Sequence, residues 1–232
     1  PFLLPLLLLM SFGPKASWAS PKLINIKGIF LLFIFSLLLY FLIFKFVKEE
    51  SILINLILIT SIYLIAQSFL DFFINLKKKS FNFSRIVSHF GFGLLIFFIA
   101  INHIFSVEKN FNIKLGEVKE TKNYLIKFED LKIFSRENYK TITGYFVISD
   151  KKNSIKENLR PEIRMYDRPK TLTYEAYIKS KLLSDTYITM SNLSGSEFYN
   201  IKFQIKPFMN LIWFSTLILS LGGILRLFRV HK

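Results

Sequence analysis

The run IVSHFGFGLLIFFIAINHIFS, Ile86–Ser106, decides the class of this protein. It contains no Asp, Glu, Lys or Arg, and as a helix it is long enough to cross the ~30 Å hydrocarbon core of a bilayer. Three more runs meet the same requirement: Ile29–Val47, Ile52–Leu70 and Phe208–Leu225. Pro1–Phe12 is apolar but too short, and is read as a partial span. It lacks the basic flank and unbroken apolar centre of a signal peptide, with Pro1 and Pro5 inside it, so the chain is read as a fragment cut within a span. Of 232 residues, 52% are hydrophobic and 27 are Phe, while 31 Lys+Arg over 16 Asp+Glu leave a net charge of +15. A soluble nucleic-acid binder carries that charge but not these runs, so nucleic acid is not expected as a partner. With no cysteine, disulfides and thiolate chemistry are excluded.

Positive charge sets the expected topology. The link Gly13–Gly28 carries Lys15, Lys22 and Lys27; Asp71–Arg85 carries Lys77, Lys78, Lys79 and Arg85; the tail carries Arg226, Arg229 and Lys232. If each apolar run crosses once, all three fall on one side, the cytoplasm. The short Lys48–Ser51 turn and the hundred-residue segment 107–206 then lie outside. That segment holds 19 Lys/Arg and 13 Asp/Glu, so only +6 of the charge belongs to it. Most of the excess is topological.

The outer segment reads as β. Tyr199, Ile201, Phe203 and Ile205 alternate with Asn200, Lys202, Gln204 and Lys206, the period-two signature of a half-buried strand. Tyr124–Phe134, Thr141–Ser149 and Asp185–Met190 are β-branched and aromatic runs between turn residues, also strand-like. Tyr174, Ile178 and Leu182, four apart, suggest one short helix over Thr171–Leu183. The expected fold is therefore an α-helical transmembrane bundle with a small extracytoplasmic antiparallel β domain, a sheet or barrel with one helical insertion. The divisions are a membrane part over 1–106, the β domain over 107–206, and a last span with a basic tail over 207–232.

Few residues are candidates for chemistry. There is no Gly-rich phosphate loop, GxSxG elbow or HExxH helix. Gly222-Gly223 sits in a span and suits close helix packing. Of the three histidines, His231 reads as a solvated tail residue and His103, at the outer end of a span beside Asn102, as an interfacial one. His89 lies within a span, where an ionisable residue is costly and tends to face a functional cavity. Gly91 and Gly93 follow it at two and four residues. Two readings stand side by side: an axial ligand of haem iron with room beside its ring, or a packing histidine whose glycines serve helix contacts.

Further elements bear on this choice. Pro1–Phe12 runs into Gly13-Pro14 and Trp18. His89-Phe90-Gly91 lies in a span and Asn138-Tyr139 in the outer domain. Leu159-Arg160-Pro161-Glu162-Ile163-Arg164-Met165-Tyr166 is followed by Thr173-x-Glu175-Ala176 and Asp185-x-Tyr187, and the last span carries Pro207, Trp213, Gly222 and Gly223. In this order they resemble the C-terminal third of CcmF, the membrane haem lyase subunit of bacterial and mitochondrial cytochrome c maturation. Ile163 departs from the family's usual Lys, and Tyr174 interrupts its Thr-Glu-Ala. The family's tryptophan-rich segment and its other histidines would lie upstream of Pro1.

The resemblance implies a b-type haem held by His89, its second ligand coming from upstream, that reduces incoming haem so that thioether bonds can form on apocytochrome c. It also implies other maturation subunits of the CcmH and CcmI kind and a holo haem chaperone as partners. The expected location is the bacterial inner membrane with the large domain periplasmic, or the mitochondrial inner membrane, in contact with lipid. The fragment alone is expected to have little lyase activity. Ser84, Ser88 or a backbone carbonyl are candidate acceptors for the second nitrogen of His89. Glu162, Arg164, Arg168 and Glu175 are expected to form a buried network around a Pro161–Pro169 loop, in a domain that docks partners. The rival readings are a non-enzymatic, membrane-anchored β domain that docks partner proteins and a transporter, the latter disfavoured by spans with few charges and no broken-helix pair.

Overall fold

A computed structural model describes residues 2–12, 26–45, 51–76, 82–121, 123–151, 156–192 and 196–230. The Gly13-Pro14 to Trp18 element, Lys48–Glu50, the Lys77–Lys79 cluster and His231 lie outside these residues. The chain divides into two compact units, Pro1–Ile104 with Phe208–Lys232, and Phe105–Pro207.

The first unit is helical: α1 Leu3–Phe12, α2 Ile26–Phe44, α3 Ile52–Asn75, α4 Phe83–Phe105 and α5 Met209–Val230. The last four are long and apolar enough to cross a membrane. Backbone bonding within a helix satisfies every peptide group without water, which is why apolar runs of this length fold so. Buried hydroxyls follow the same rule: Ser11, Ser36 and Ser68 each donate to the carbonyl four residues back. Helix ends depart from the expected spans. The largest difference is at α3, which runs to Asn75 rather than ending at Leu70, so that Asp71 lies inside a helix and not in a link. A core of Phe44, Leu58, Ala100 and Ile101 joins α2, α3 and α4, and Tyr40 donates a hydroxyl bond to Asn55 Oδ1 at 2.7 Å between α2 and α3. Outside these contacts the helices expose Phe and Leu broadly, as along Trp213, Phe214, Leu217 and Leu221 of α5.

The second unit is all β. Its strands are β1 Val107–Ile113, β2 Val118–Glu120, β3 Tyr124–Ser135, β4 Tyr139–Asp150, β5 Lys156–Leu159, β6 Glu162–Asp167, β7 Lys170–Glu175, β8 Tyr177–Ser180, β9 Ser184–Asn192 and β10 Tyr199–Pro207. They form two antiparallel sheets, β1-β10-β9-β8 and β2-β3-β4-β6-β7, with β5 also on β4. Strand β10 is central to its sheet, pairing Ile201 with Phe111 on one side and Met190 on the other. Its alternation is realised as read: Ile201 and Phe203 are fully buried and Tyr199 and Ile205 pack on the same core. That core also takes Ile126, Phe128, Phe146, Ile148, Leu159, Ile163 and Ile188, with Phe128 and Phe146 stacked at 4.4 Å. A bulge between Phe128 and Asp130 shifts the β3–β4 register by one residue.

Two expectations fail here. The short helix over Thr171–Leu183 is absent: β7 and β8 occupy it, and Tyr174, Ile178 and Leu182 are exposed. A spacing of four also keeps residues on one face of a strand, because four is twice the strand period. The Pro161–Pro169 loop is strand β6 and its turn into β7, with Ile163 buried in the core and Glu162–Asp167 paired to β7.

Candidate functional site

His89 stands in the first half of α4, half-buried, in a helix that starts with Asn82 Oδ1 accepting from the Arg85 amide at 3.4 Å. The two glycines beside it meet different neighbours. A Cβ on Gly91 would lie 2.6 Å from the backbone nitrogen of Leu219 in α5. One on Gly93 would lie 2.9 Å from Ile65 Cγ1 in α3. The space they leave is therefore filled by neighbouring helices, the close approach that small residues allow in membranes. It is not an open slot beside the ring.

The serines are committed to the same packing. Ser84 Oγ donates to the carbonyl of Gly222 at 2.7 Å, and a Cβ on Gly222 would sit 2.6 Å from the backbone nitrogen of Ser88. Successive residues turn by about 100°, so Gly91 faces nearly opposite His89 while Gly93 is only about 40° away. The α5-facing side of α4 is thus Ser84, Ser88 and Gly91, and His89 lies toward the other side. Ser84 is accordingly not an acceptor for the His89 ring, a correction to the expected second contact.

The charges that act on the ring are those of Arg85 and Asp71. Asp71 is inside α3, where Gln67 Nε2 donates to its Oδ1 at 2.8 Å and Asn75 Nδ2 to its carbonyl at 2.7 Å. This carboxylate is missed by sequence reasoning because α3 extends a turn further than its apolar run. The signal that could have exposed it is the Gln67…Asp71…Asn75 spacing of four, a line of polar groups on one helix face. His103 is exposed in the last turn of α4. An apolar recess of about 560 Å³ lies between α2, α3 and α4, lined by residues such as Phe35, Ile62, Phe69 and Leu94.

In the β unit the segments singled out by sequence meet on β4 and β6. Tyr139 is register partner to Tyr166, their rings 5.1 Å apart, and Arg164 pairs across from Thr141. Arg164 Nε donates to Glu162 at 2.9 Å, and its guanidinium lies 5.3 Å from the Tyr139 ring centre. Bonding to Glu162, then to Tyr166, raises the Arg164 pKa and keeps it charged. The expected four-residue network reduces to this half-exposed pair: Arg168 is exposed at the turn, and Glu175 accepts from Thr173 Oγ1 at 3.0 Å. Around the pair is a cavity of about 340 Å³ that also takes Arg136, Arg160, Tyr145 and Thr143. Further along, Asp185 is buried and accepts a long 3.4 Å bond from Tyr187, whose hydroxyl is raised in pKa by burial and then by that carboxylate.

Residues 104–207 match the family described as CcmF C-terminal beta-sandwich. The chain is 26% identical over 238 residues to the cytochrome c-type biogenesis protein CcmF of Haemophilus influenzae, covering 97% of this chain and 36% of that protein. It is 24% identical over 233 residues to the protein of the same name in Escherichia coli, again covering 97% and 36%. A solved structure titled Cytochrome c Heme Lyase CcmF superposes with a TM-score of 0.72 over 95% of this chain and 38% of that one, at 17% identity. The chain thus spans about a third of the length of the curated relatives it matches.

Proposed function

We propose, from the premise that this chain belongs to the CcmF family and corresponds to its C-terminal part, that it forms the haem-holding C-terminal portion of a haem lyase subunit in cytochrome c biogenesis. His89 is the residue assigned to a b-type haem. The observation that carries this is a half-buried imidazole within an apolar helix, making no hydrogen bond among the described residues. An ionisable group so placed calls for a ligand or a partner. Asp71 and Arg85 are the charged neighbours whose fields act on the ring.

The residues fit an iron ligand on donor chemistry, an imidazole whose ring nitrogens make no hydrogen bond among the described residues. The close contact of Gly91 with Leu219 leaves no room for a porphyrin between α4 and α5 at that level. His89 would hold the haem, and the chemistry a haem held by it would supply is one-electron reduction in support of haem attachment to apocytochrome cysteines. The chain's own part is to hold the imidazole, keep water away with α2–α4 and present the β unit. The alternating Lys/Arg links support an orientation with that unit on the extracytoplasmic side. There it docks the polypeptides of the maturation machinery, among them apocytochrome c, other subunits and a haem chaperone.

The test is a visible spectrum of the full-length protein purified with and without His89→Ala. Loss of the b-type absorbance is expected, with His103→Ala retaining it. Undiminished haem in the His89→Ala protein would remove the assignment and leave a membrane-anchored docking domain. Crosslinking of the β unit to the other maturation subunits tests the docking part.

A further inference from the structure

The 340 Å³ cavity on β4 and β6 is lined by side chains on the face opposite the core. In β4, Phe146 and Ile148 point into the core, so Tyr139, Thr141, Thr143 and Tyr145, of the other parity, point away from it. Three guanidiniums, Arg136, Arg160 and Arg164, stand there against one carboxylate, Glu162. Glu162 is already taken by Arg164, and among the described residues Arg136 and Arg160 form no ion pair. The Arg160 guanidinium lies 5.2 Å from the Tyr145 ring centre, as Arg164 does at 5.3 Å from Tyr139. A guanidinium stacked on a ring keeps its edge N–H groups free, and that edge is the fork that fits a carboxylate. In the same lining, Thr141 is 4% exposed and its hydroxyl has no hydrogen-bond partner among the described residues. Such a group is rarely left so without something to bind.

We propose that this face is a carboxylate-binding site that takes an acidic residue of a partner polypeptide, held by Arg136 and Arg160 and flanked by the Tyr139 and Tyr145 rings. The unpaired positive charge selects an anion. The tyrosines cover the stem of the acidic side chain, and the volume, at the low end for ligand pockets, suits one or two residues rather than a macrocycle. The site also accounts for the pairing seen on strand β6, where Glu162 fixes Arg164 and Arg164 anchors Tyr139. This rests on the reading that the β unit docks polypeptides, and narrows it to one chemistry.

The test uses the full chain in detergent micelles and saturation-transfer NMR. The probes are two blocked dipeptides, acetyl-phenylalanyl-glutamate amide and its glutamine counterpart. The glutamate probe is expected to bind about fivefold more tightly or better, as a charge-assisted fork contact implies. Its preference is expected to vanish in Arg136→Gln/Arg160→Gln and to persist in Arg168→Gln, whose side chain is outside the cavity. If the double variant loses its β circular dichroism, the unmodified chain decides instead. Raising NaCl from about 0.05 to about 0.5 M must weaken the glutamate probe and leave the glutamine probe unchanged. Equal binding of the two probes, a preference that survives in the folded double variant, or no salt effect would overturn the site. Crosslinks to maturation subunits that persist while the dipeptides show no preference overturn the carboxylate site alone. Probe preference without any crosslinks overturns the docking reading instead.

Discussion

Ser84 Oγ donates a hydrogen bond to the carbonyl of Gly222 at 2.7 Å, a contact between residues 138 apart in sequence that fixes where α4 meets α5. One turn on, Ser88 backs onto the same glycine, and a further turn brings Gly91 against Leu219. Two helices separated in sequence by the whole β unit are therefore registered through small residues, not through Leu and Phe, because within lipid only close packing and polar contacts favour association.

Gly222→Ala is expected to force α4 and α5 apart, since its Cβ would press on the Ser88 backbone. A loss of about 1–3 kcal/mol, typical of overpacking, is expected as a lower Tm in detergent. Gly223→Ala is the control, as nothing lies within 4 Å of its Cβ and alanine is the better helix former. A Gly222→Ala protein as stable as Gly223→Ala would refute the close contact.

Ser84→Ala removes one hydrogen bond between helices and leaves their packing distance unchanged. Such bonds are worth about 0.6 kcal/mol on average in membrane proteins. The variant should lose roughly that much, measured by the same thermal assay, and clearly less than Gly222→Ala. A drop as large as the glycine's would mean that the hydroxyl does more than tie the carbonyl.

Phe146→Ala should be the most damaging of these changes to the β unit. The ring is buried and stacks on Phe128, with centroids at 4.4 Å and planes 12° apart. Truncating a core Phe costs about 3–5 kcal/mol. Lys202→Ala, on the exposed face of β10, should cost under about 0.5 kcal/mol. Thermal melts followed by β-sheet circular dichroism separate the two.

Acid should weaken the β unit through two carboxylates. Glu108 is held below the ordinary Glu range by its bond to Lys202 and then by Gln204, and Glu117 by Lys119 and then by the Lys114 amide. A pKa lower in the folded than in the unfolded state gives stability that is present above the unfolded value. It is lost as pH falls through the folded one. Below about pH 4 the Tm should therefore fall, and fall less in Glu108→Gln/Glu117→Gln. Glu108 is solvent-exposed and Glu117 partly so, and about 0.5 M salt should flatten the same slope. A double variant with an unchanged acid slope would assign the loss to other groups.

The spans were legible because bilayer thickness imposes a length that any apolar run either meets or fails. Strand β10 was legible because one of its faces is core and the other is not, so burial writes a period of two into Tyr199–Lys206. Strands β6 to β8 carry a weaker pattern. Tyr174, Ile178 and Leu182 are apolar yet exposed, and their spacing of four satisfies helix and strand alike. The expected helix there was an ambiguity of period, settled by pairing with β6 and β9. The end of α3 was misplaced for a related reason: composition marks where apolar residues stop, whereas a helix continues while its backbone bonds can be made.

Chain composition and patterning by themselves determined that this is a membrane protein with a β domain, and motif order alone pointed to the resemblance to CcmF, because length, charge and alternation are local properties. Which residues meet was decided only in three dimensions. Gly91 and Gly93 look like space beside His89 in one dimension but are filled by α5 and α3. Asn138-Tyr139 and Pro161–Tyr166 are over twenty residues apart, and sheet pairing brings them to one arginine-lined face. Neither outcome can be read from a string, since helix faces and strand neighbours are set by packing across segments that the sequence keeps apart.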